Sequence, residues 1–253
     1  MANPTILRVG NSEINHNDVV IHLKAGGQYQ VALQDMIKIR ALENYAGENN
    51  IEAGSDELQQ FVNDRRKEMG LFAQKDLQNY LGSLGISADQ WVDSLEVELL
   101  RKKIKERIIT DEKLQQYFSQ NKLQFVKIEL YKIVCESKGA AEEIIMEARD
   151  DHEDFSAIAM KYSIDPQTRA SGGYLGSVAR GQLPPDAESK VFTSAEGEII
   201  GPFKEGDFFT VYKIGSVIKP ELDDAMKSNL KDRLFEMWTS QLVQSQRIQV
   251  PES

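Results

Sequence analysis

Gly172 and Gly173 stand between a polar stretch, Asp165 to Ser171, and the run Tyr174-Leu175-Gly176. Glycine takes positive φ without a Cβ penalty and lets a second backbone approach closely, so the pair predicts a sharp turn into a short strand. Upstream, Phe155, Ile158, Ala159 and Tyr162 recur at helical spacing and put a helix end just before that turn.

Around the turn, Lys127 to Cys135 alternates as a strand, Ala141, Ile144, Ile145 and Ala148 form a helix stripe, and Phe208 to Gly215 reads as a closing strand. Strand, helix, helix, turn strand, short helix and strand pair in that order predict an α+β unit. The first half reads differently. Thr5 to Val9 is a short strand stopped at Gly10, and from Tyr29 the residues Leu33, Met36, Ile37 and Ala41 predict an amphipathic helix that fades at Gly47. Ser55 is expected to cap a second helix, with Leu77, Tyr80 and Leu81 in a short third. Ser87 with Gln90 fits a capping box. Behind it Trp91, Leu95, Leu99, Leu100, Ile104 and Ile108 hold one stripe, predicted to be the longest helix of this half. Beyond Pro220, Leu222, Met226, Leu230, Leu234, Trp238 and Leu242 predict a last helix.

A chain of 253 residues can build two modest cores without staples. Its net charge of -10 opposes contact with nucleic acid or anionic lipid, so no nucleic-acid partner is expected. The single cysteine, Cys135, excludes an internal disulfide and sits in a strand pattern beside Ile133 and Val134, which marks an inert thiol. The start of the sequence has no cationic and apolar run of a signal peptide, and no stretch reaches the ~18 apolar residues of a membrane helix. The expectation is a cytoplasmic chain with no integral membrane segment.

The run from Tyr162 to Gly176, followed by Gly181-Gln182-Leu183-Pro184, Val191-Phe192, Glu196-Gly197-Glu198-Ile199 and Gly201-Pro202, resembles the parvulin (PpiC-type) peptidyl-prolyl isomerases over roughly Lys127 to Lys219. Lys113-Leu114-Gln115-Gln116-Tyr117-Phe118 is similar to the motif that ends the domain-joining helix in SurA-like and PrsA-like foldases. The resemblance implies a SurA-like helical domain over 1–124, completed by 220–253, and a parvulin-type isomerase domain over 125–219. It further implies a foldase or chaperone that binds unfolded or extended polypeptide and needs no cofactor or metal. A catalytically silent peptide-binding holdase or adaptor is the alternative.

Parvulins line their site with two histidines, an Asp or Cys between them, and a Met and a Phe around the proline ring. By that resemblance Asp165 keeps the acidic position, and as an Asp before Pro166 it equally suits a turn start. Tyr131 and Thr210 stand at the histidine positions, as polar groups able to hydrogen-bond one another. Leu183 and Ala187 replace the Met and the Phe, and Phe192 remains in the pocket floor. Leu183, Phe192, Phe208 and Tyr212 are expected to line an apolar groove of weak proline grip. None of the histidines, His16, His22 and His152, falls on a site position.

Overall fold

Alternation of apolar residues on strands and their 3.6-residue recurrence on helices separate the chain into two kinds of structure, and the computed structural model describes residues 5–150, 154–246 and 248–249. Two compact units result: Met1–Leu114 with Lys227–Ser253, and Gln115–Met226.

The first unit opens with the antiparallel hairpin β1 (Thr5–Val9) and β2 (Ser12–Asn15). Helix α1 (His16–Ala25) follows, with Asn15 and Asp18 closing a capping box. His16 and His22 lie in helical turns as expected, while the bounds of α1 and the strand β2 were not drawn from the sequence; α1 buries no residue. Then come α2 (Gln28–Glu48), α3 (Ser55–Glu68), α4 (Gln74–Leu84) and α5 (Ala88–Ile108). The expected Ser87–Gln90 capping box is present, each side chain bonding the other's backbone N–H at 2.9 and 3.1 Å. Ser55 is not a cap: Gly54 takes that position and no side chain caps the helix. At 21 residues α5 is matched in length by α2.

Val62 of α3, Leu77 and Leu81 of α4, and Trp91 and Leu95 of α5 form one buried cluster. On α2 the buried face is confined to the C-terminal half, at Ala41, Leu42 and Ala46, while Leu33 and Met36, expected on the same buried stripe, are exposed. The last helix of this unit, α11 (Asp224–Ser245), buries Leu230 and Phe235 and joins α2 and α5 through aromatic and ionic contacts. Trp238 stacks on Phe235 and meets Tyr45 edge-on at 4.8 Å. Glu236 receives Arg101 at 2.5 Å and Lys38 at 3.4 Å, and Asp232 pairs with Lys105.

The second unit begins in helix α6 (Asp111–Gln120) and a 3-10 turn, Lys122–Phe125, where Phe118 stacks on Phe125. It continues through β3 (Lys127–Cys135), α7 (Lys138–Asp150), α8 (Phe155–Tyr162), α9 (Pro166–Arg169) and β4 (Tyr174–Ala179). Helix α10 (Pro185–Val191) and strands β5 (Ile199–Glu205) and β6 (Phe208–Ile218) complete it. The sheet is antiparallel throughout, in the order β4-β3-β6-β5. Both faces of its two central strands are covered. Ile133, Cys135 and Val211 pack under α7 and α8, whereas Leu130, Tyr212 and Ile214 pack under Ala187 and Val191 of α10. Burial among these residues pushes the Cys135 thiol pKa up, consistent with an unreactive strand cysteine. His16 and His22 lie on α1, and His152 falls outside the described residues.

Candidate functional site

Strand β4 pairs with only the first part of β3, from Lys127 to Tyr131, and the stretch after α8 takes over from there. The Ile164 N–H donates to the Val134 carbonyl at 2.9 Å, and the Lys132 N–H donates to the Gly173 carbonyl at 2.7 Å. Ser163, buried, accepts the Val134 N–H on its hydroxyl. The polar loop is thereby held flush against the sheet edge. Gly173 makes this possible: at φ 82°, a Cβ there would stand 2.7 Å from the Lys132 carbonyl oxygen and 3.0 Å from the Ala159 methyl.

Asp165 ends the extended part of this loop and caps α9, with Pro166 at the first helical position. One carboxylate oxygen accepts the Gln167 N–H at 3.2 Å; the other accepts the Thr168 hydroxyl at 2.7 Å and the Lys132 ammonium at 2.8 Å. Both members of the ion pair are largely covered, with side chains 13% (Asp165) and 20% (Lys132) exposed. Burial alone would raise the Asp165 pKa, but the hydrogen bonds from Lys132, Thr168 and the Gln167 amide outweigh it and hold the carboxyl below its ordinary value. The turn start expected of Asp165 is present as the cap of α9, and the same carboxylate pairs with Lys132.

Tyr131 and Thr210 do not meet. Tyr131 shares its face of β3 with Ile133 and Cys135, packs toward the α7–α8 core and lies against the Tyr174 ring at 5.3 Å. Thr210, opposite Val134 in the register, shares the other face with Tyr212 and Ile214. The residue of β3 that stands on Thr210's side and reaches Asp165 is Lys132, which sequence reading passed over in favour of its neighbour. Because side chains alternate across a strand, an offset of one residue moves a side chain to the opposite face. Lys132 has the parity of Ile128 and Leu130, the buried residues beneath α10, but with both faces of β3 covered the strand sequence alone does not single out that face.

Thr210 is 1% exposed, and its hydroxyl has no hydrogen-bond partner among the described residues. Leu183, Ala187, Phe192 and Tyr212 do converge, in the cluster beneath α10. Phe192 lies under the Arg180 guanidinium at 4.3 Å. The Tyr212 hydroxyl donates to Glu205 at 2.8 Å, and burial together with that carboxylate pushes its pKa far up, so it stays a neutral donor. Phe208, by contrast, sits at the start of β6 opposite Glu205, is 45% exposed, and takes no part in the cluster. The arrangement offers an apolar bed, a buried hydroxyl and a salt-bridged lysine, and among the described residues no imidazole.

Comparison with known proteins supplies the affiliation. Residues 135–216 match the family model of the PPIC-type PPIase domain, and residues 20–105 match that of the SurA-like N-terminal domain. The chain joins a SurA-like N-terminal domain to a PPIC-type PPIase domain. The foldase protein PrsA of Halalkalibacterium halodurans is 25% identical over 207 residues, covering 78% of this chain and 60% of that protein. PrsA of Caldanaerobacter subterraneus subsp. tengcongensis is 26% identical over 224 residues, covering 86% of this chain and 69% of that protein. The crystal structure of a peptidylprolyl isomerase (PrsA) from Bacillus cereus superposes with a TM-score of 0.54 at 20% identity, covering 99% of this chain and 95% of that one. That likeness concerns the fold. The Lys132–Asp165 pair lies on the sheet face that also carries Thr210 and Tyr212.

A carboxyl held below its ordinary value of 3.8 in the folded chain adds stability that is fully present above that pH and is lost as the pH falls through the folded value. Asp165→Asn is expected to cost ~1–3 kcal/mol at neutral pH, since it leaves Lys132 covered and unpaired. In urea unfolding the gap to the wild type should close as the solution is made more acidic than pH 3.8. A gap of the same size at every pH would mean that the charge on Asp165 contributes nothing.

Proposed function

We propose that this chain is a foldase of the PPIase family whose PPIC-type domain holds extended, proline-containing segments but isomerises them slowly, while the helical unit carries the main client surface. Rotation about an X-Pro bond breaks amide resonance against a barrier of ~18–20 kcal/mol and needs no nucleophile, metal or cofactor. It needs an apolar seat for the proline ring and polar groups matched to the twisted amide. The observation that carries the reading is the Lys132–Asp165 ion pair on the same sheet face as the orphan Thr210 hydroxyl, set against an apolar bed to which α10 contributes Ala187 and Val191 and no aromatic ring. An ammonium engaged by a carboxylate is a fixed charge rather than a proton carrier near pH 7, and a methyl grips a proline ring less than an aromatic wall, whose burial is worth ~1.5–3 kcal/mol.

Little acceleration of short X-Pro peptides is therefore expected from the wild type. The combination Lys132→His, Thr210→His and Ala187→Phe should raise kcat/KM by ~10-fold or more, about 1.4 kcal/mol off the barrier. Substituting Tyr131→His in place of Lys132→His should not, because Tyr131 faces the other side of the sheet. Wild-type turnover already equal to that of the triple variant would show that Asp165 and the apolar bed suffice. The chaperone half of the reading is tested by suppression of aggregation of an unfolding client, expected to survive Asp165→Asn. Absence of suppression at stoichiometric amounts would leave a dedicated partner-binding role as the better account.

A further inference from the structure

Helices α2 and α5 of the helical unit leave two cavities, of about 480 and 610 Å³, that share Ile39, Ser94 and Val97 in their walls. Volumes of this size are those of ligand sites, and side chains of an extended peptide fit within them. The charge around them is net negative, with Lys38, Arg40 and Arg101 set against the carboxylates of Asp35, Glu43, Asp93, Glu96, Glu98 and Glu236. Arg40 is engaged by Glu43 at 2.5 Å, and Lys38 and Arg101 are both engaged by Glu236. The carboxylates of Asp35, Asp93 and Glu96 then have no basic partner among the described residues. Asp93 and Glu96 lie one helical turn apart on α5, so two of the three edge the wider cavity together.

Thr239 of α11 closes one wall of the narrower cavity; it is 2% exposed and its hydroxyl is enclosed, so it offers no polar group to a ligand. The apolar part is supplied by Ile39 and Val97, with Met36, 45% exposed, at the wider cavity.

We propose that this α2–α5 groove is a client-binding site selective for basic, apolar-containing segments of extended polypeptide. The inference rests on the foldase reading above and names the substrate class of its helical unit. Apolar side chains of the segment enter the two cavities, and its lysines or arginines meet Asp35, Asp93 and Glu96. A cleft of net negative charge focuses its field, which favours a segment of the opposite sign and disfavours an acidic one.

The test is fluorescence anisotropy on the full chain with two labelled peptides of identical leucine and phenylalanine spacing, one bearing lysines and the other glutamates between them. The lysine peptide should bind about tenfold more tightly at low salt, and the ratio should fall toward one near ~1 M salt, where charges are screened within about 3 Å. Asp35→Asn, Asp93→Asn and Glu96→Gln together should abolish the preference without moving the melting temperature, since none of the three carboxylates is paired. Equal affinity for the two peptides, or a preference that survives the triple substitution, overturns the proposal. If the wild type nevertheless suppresses aggregation, only this site assignment falls; if it does neither, the foldase reading falls with it. A chain that self-associates and becomes monomeric in the triple variant has a second copy in the groove, which also overturns it.

Discussion

A chain that stops at Pro220 is expected to lose the cooperative unfolding transition of its helical unit. Helix α11 contributes Leu230 and Phe235, each 2% exposed, and Trp238, which bridges Phe235 and Tyr45 of α2. Burying such side chains is worth ~1.5–3 kcal/mol each, so losing three of them removes roughly 5–9 kcal/mol. A domain's whole stability is about 5–15 kcal/mol. The ion pairs on Glu236 and Asp232 disappear too, but exposed pairs add only ~0–1 kcal/mol and set register more than stability. Phe235→Ala alone should cost ~3–5 kcal/mol, the range for emptying a buried aromatic site. Circular dichroism with urea titration checks both. A truncated chain whose helical transition matches that of the full chain would show that α11 is not part of that unit's core.

Gly173→Ala is expected to be the most damaging single methyl that can be added to the PPIC-type unit. Two costs combine. An L side chain at φ 82° is strained by ~1–2 kcal/mol, and the new carbon would lie 2.7 Å from the Lys132 carbonyl, a backbone atom of a central strand that cannot move aside. Together they should reach roughly 2–4 kcal/mol. Gly176 supplies the control, because its φ is 100° yet nothing lies within 4 Å of a Cβ built there. Gly176→Ala should cost only the conformational part, ~1–2 kcal/mol. Equal losses from the two substitutions would mean that close approach between the loop and β3 is not what Gly173 serves.

The two glycines also show how far the amino-acid order reaches. Gly172 and Gly173 marked a turn because only glycine tolerates that backbone, and the turn is where the structure has it, at φ 62° and 82°. The Ser87–Gln90 box and the α5 stripe were legible for the same kind of reason, since capping and helical periodicity are local. The first half of α2 was misread as part of a buried stripe because periodicity records which residues share a face, not whether another element covers it; Leu33 and Met36 are exposed.

Of the residues the motif suggested for a site, Leu183, Ala187, Phe192 and Tyr212 gather in one cluster. The partner of Asp165 did not follow from the motif. Choosing between Tyr131 and Lys132 depends on which face of β3 looks toward α10, and the strand sequence is compatible with either, since both faces are covered. Phe208 likewise reads as one more aromatic of the groove until the hairpin places it outside the cluster. What the sequence determined by itself is whatever neighbours along the chain decide: the glycine turn, the helix caps, the alternation of each strand and the excess of negative charge. Only the tertiary structure decided which strand face meets which helix, that Lys132 rather than Tyr131 pairs with Asp165, and that Asp35, Asp93 and Glu96 border the same groove. Those contacts join residues far apart in the chain, and their energies depend on distance and burial, which no local pattern encodes.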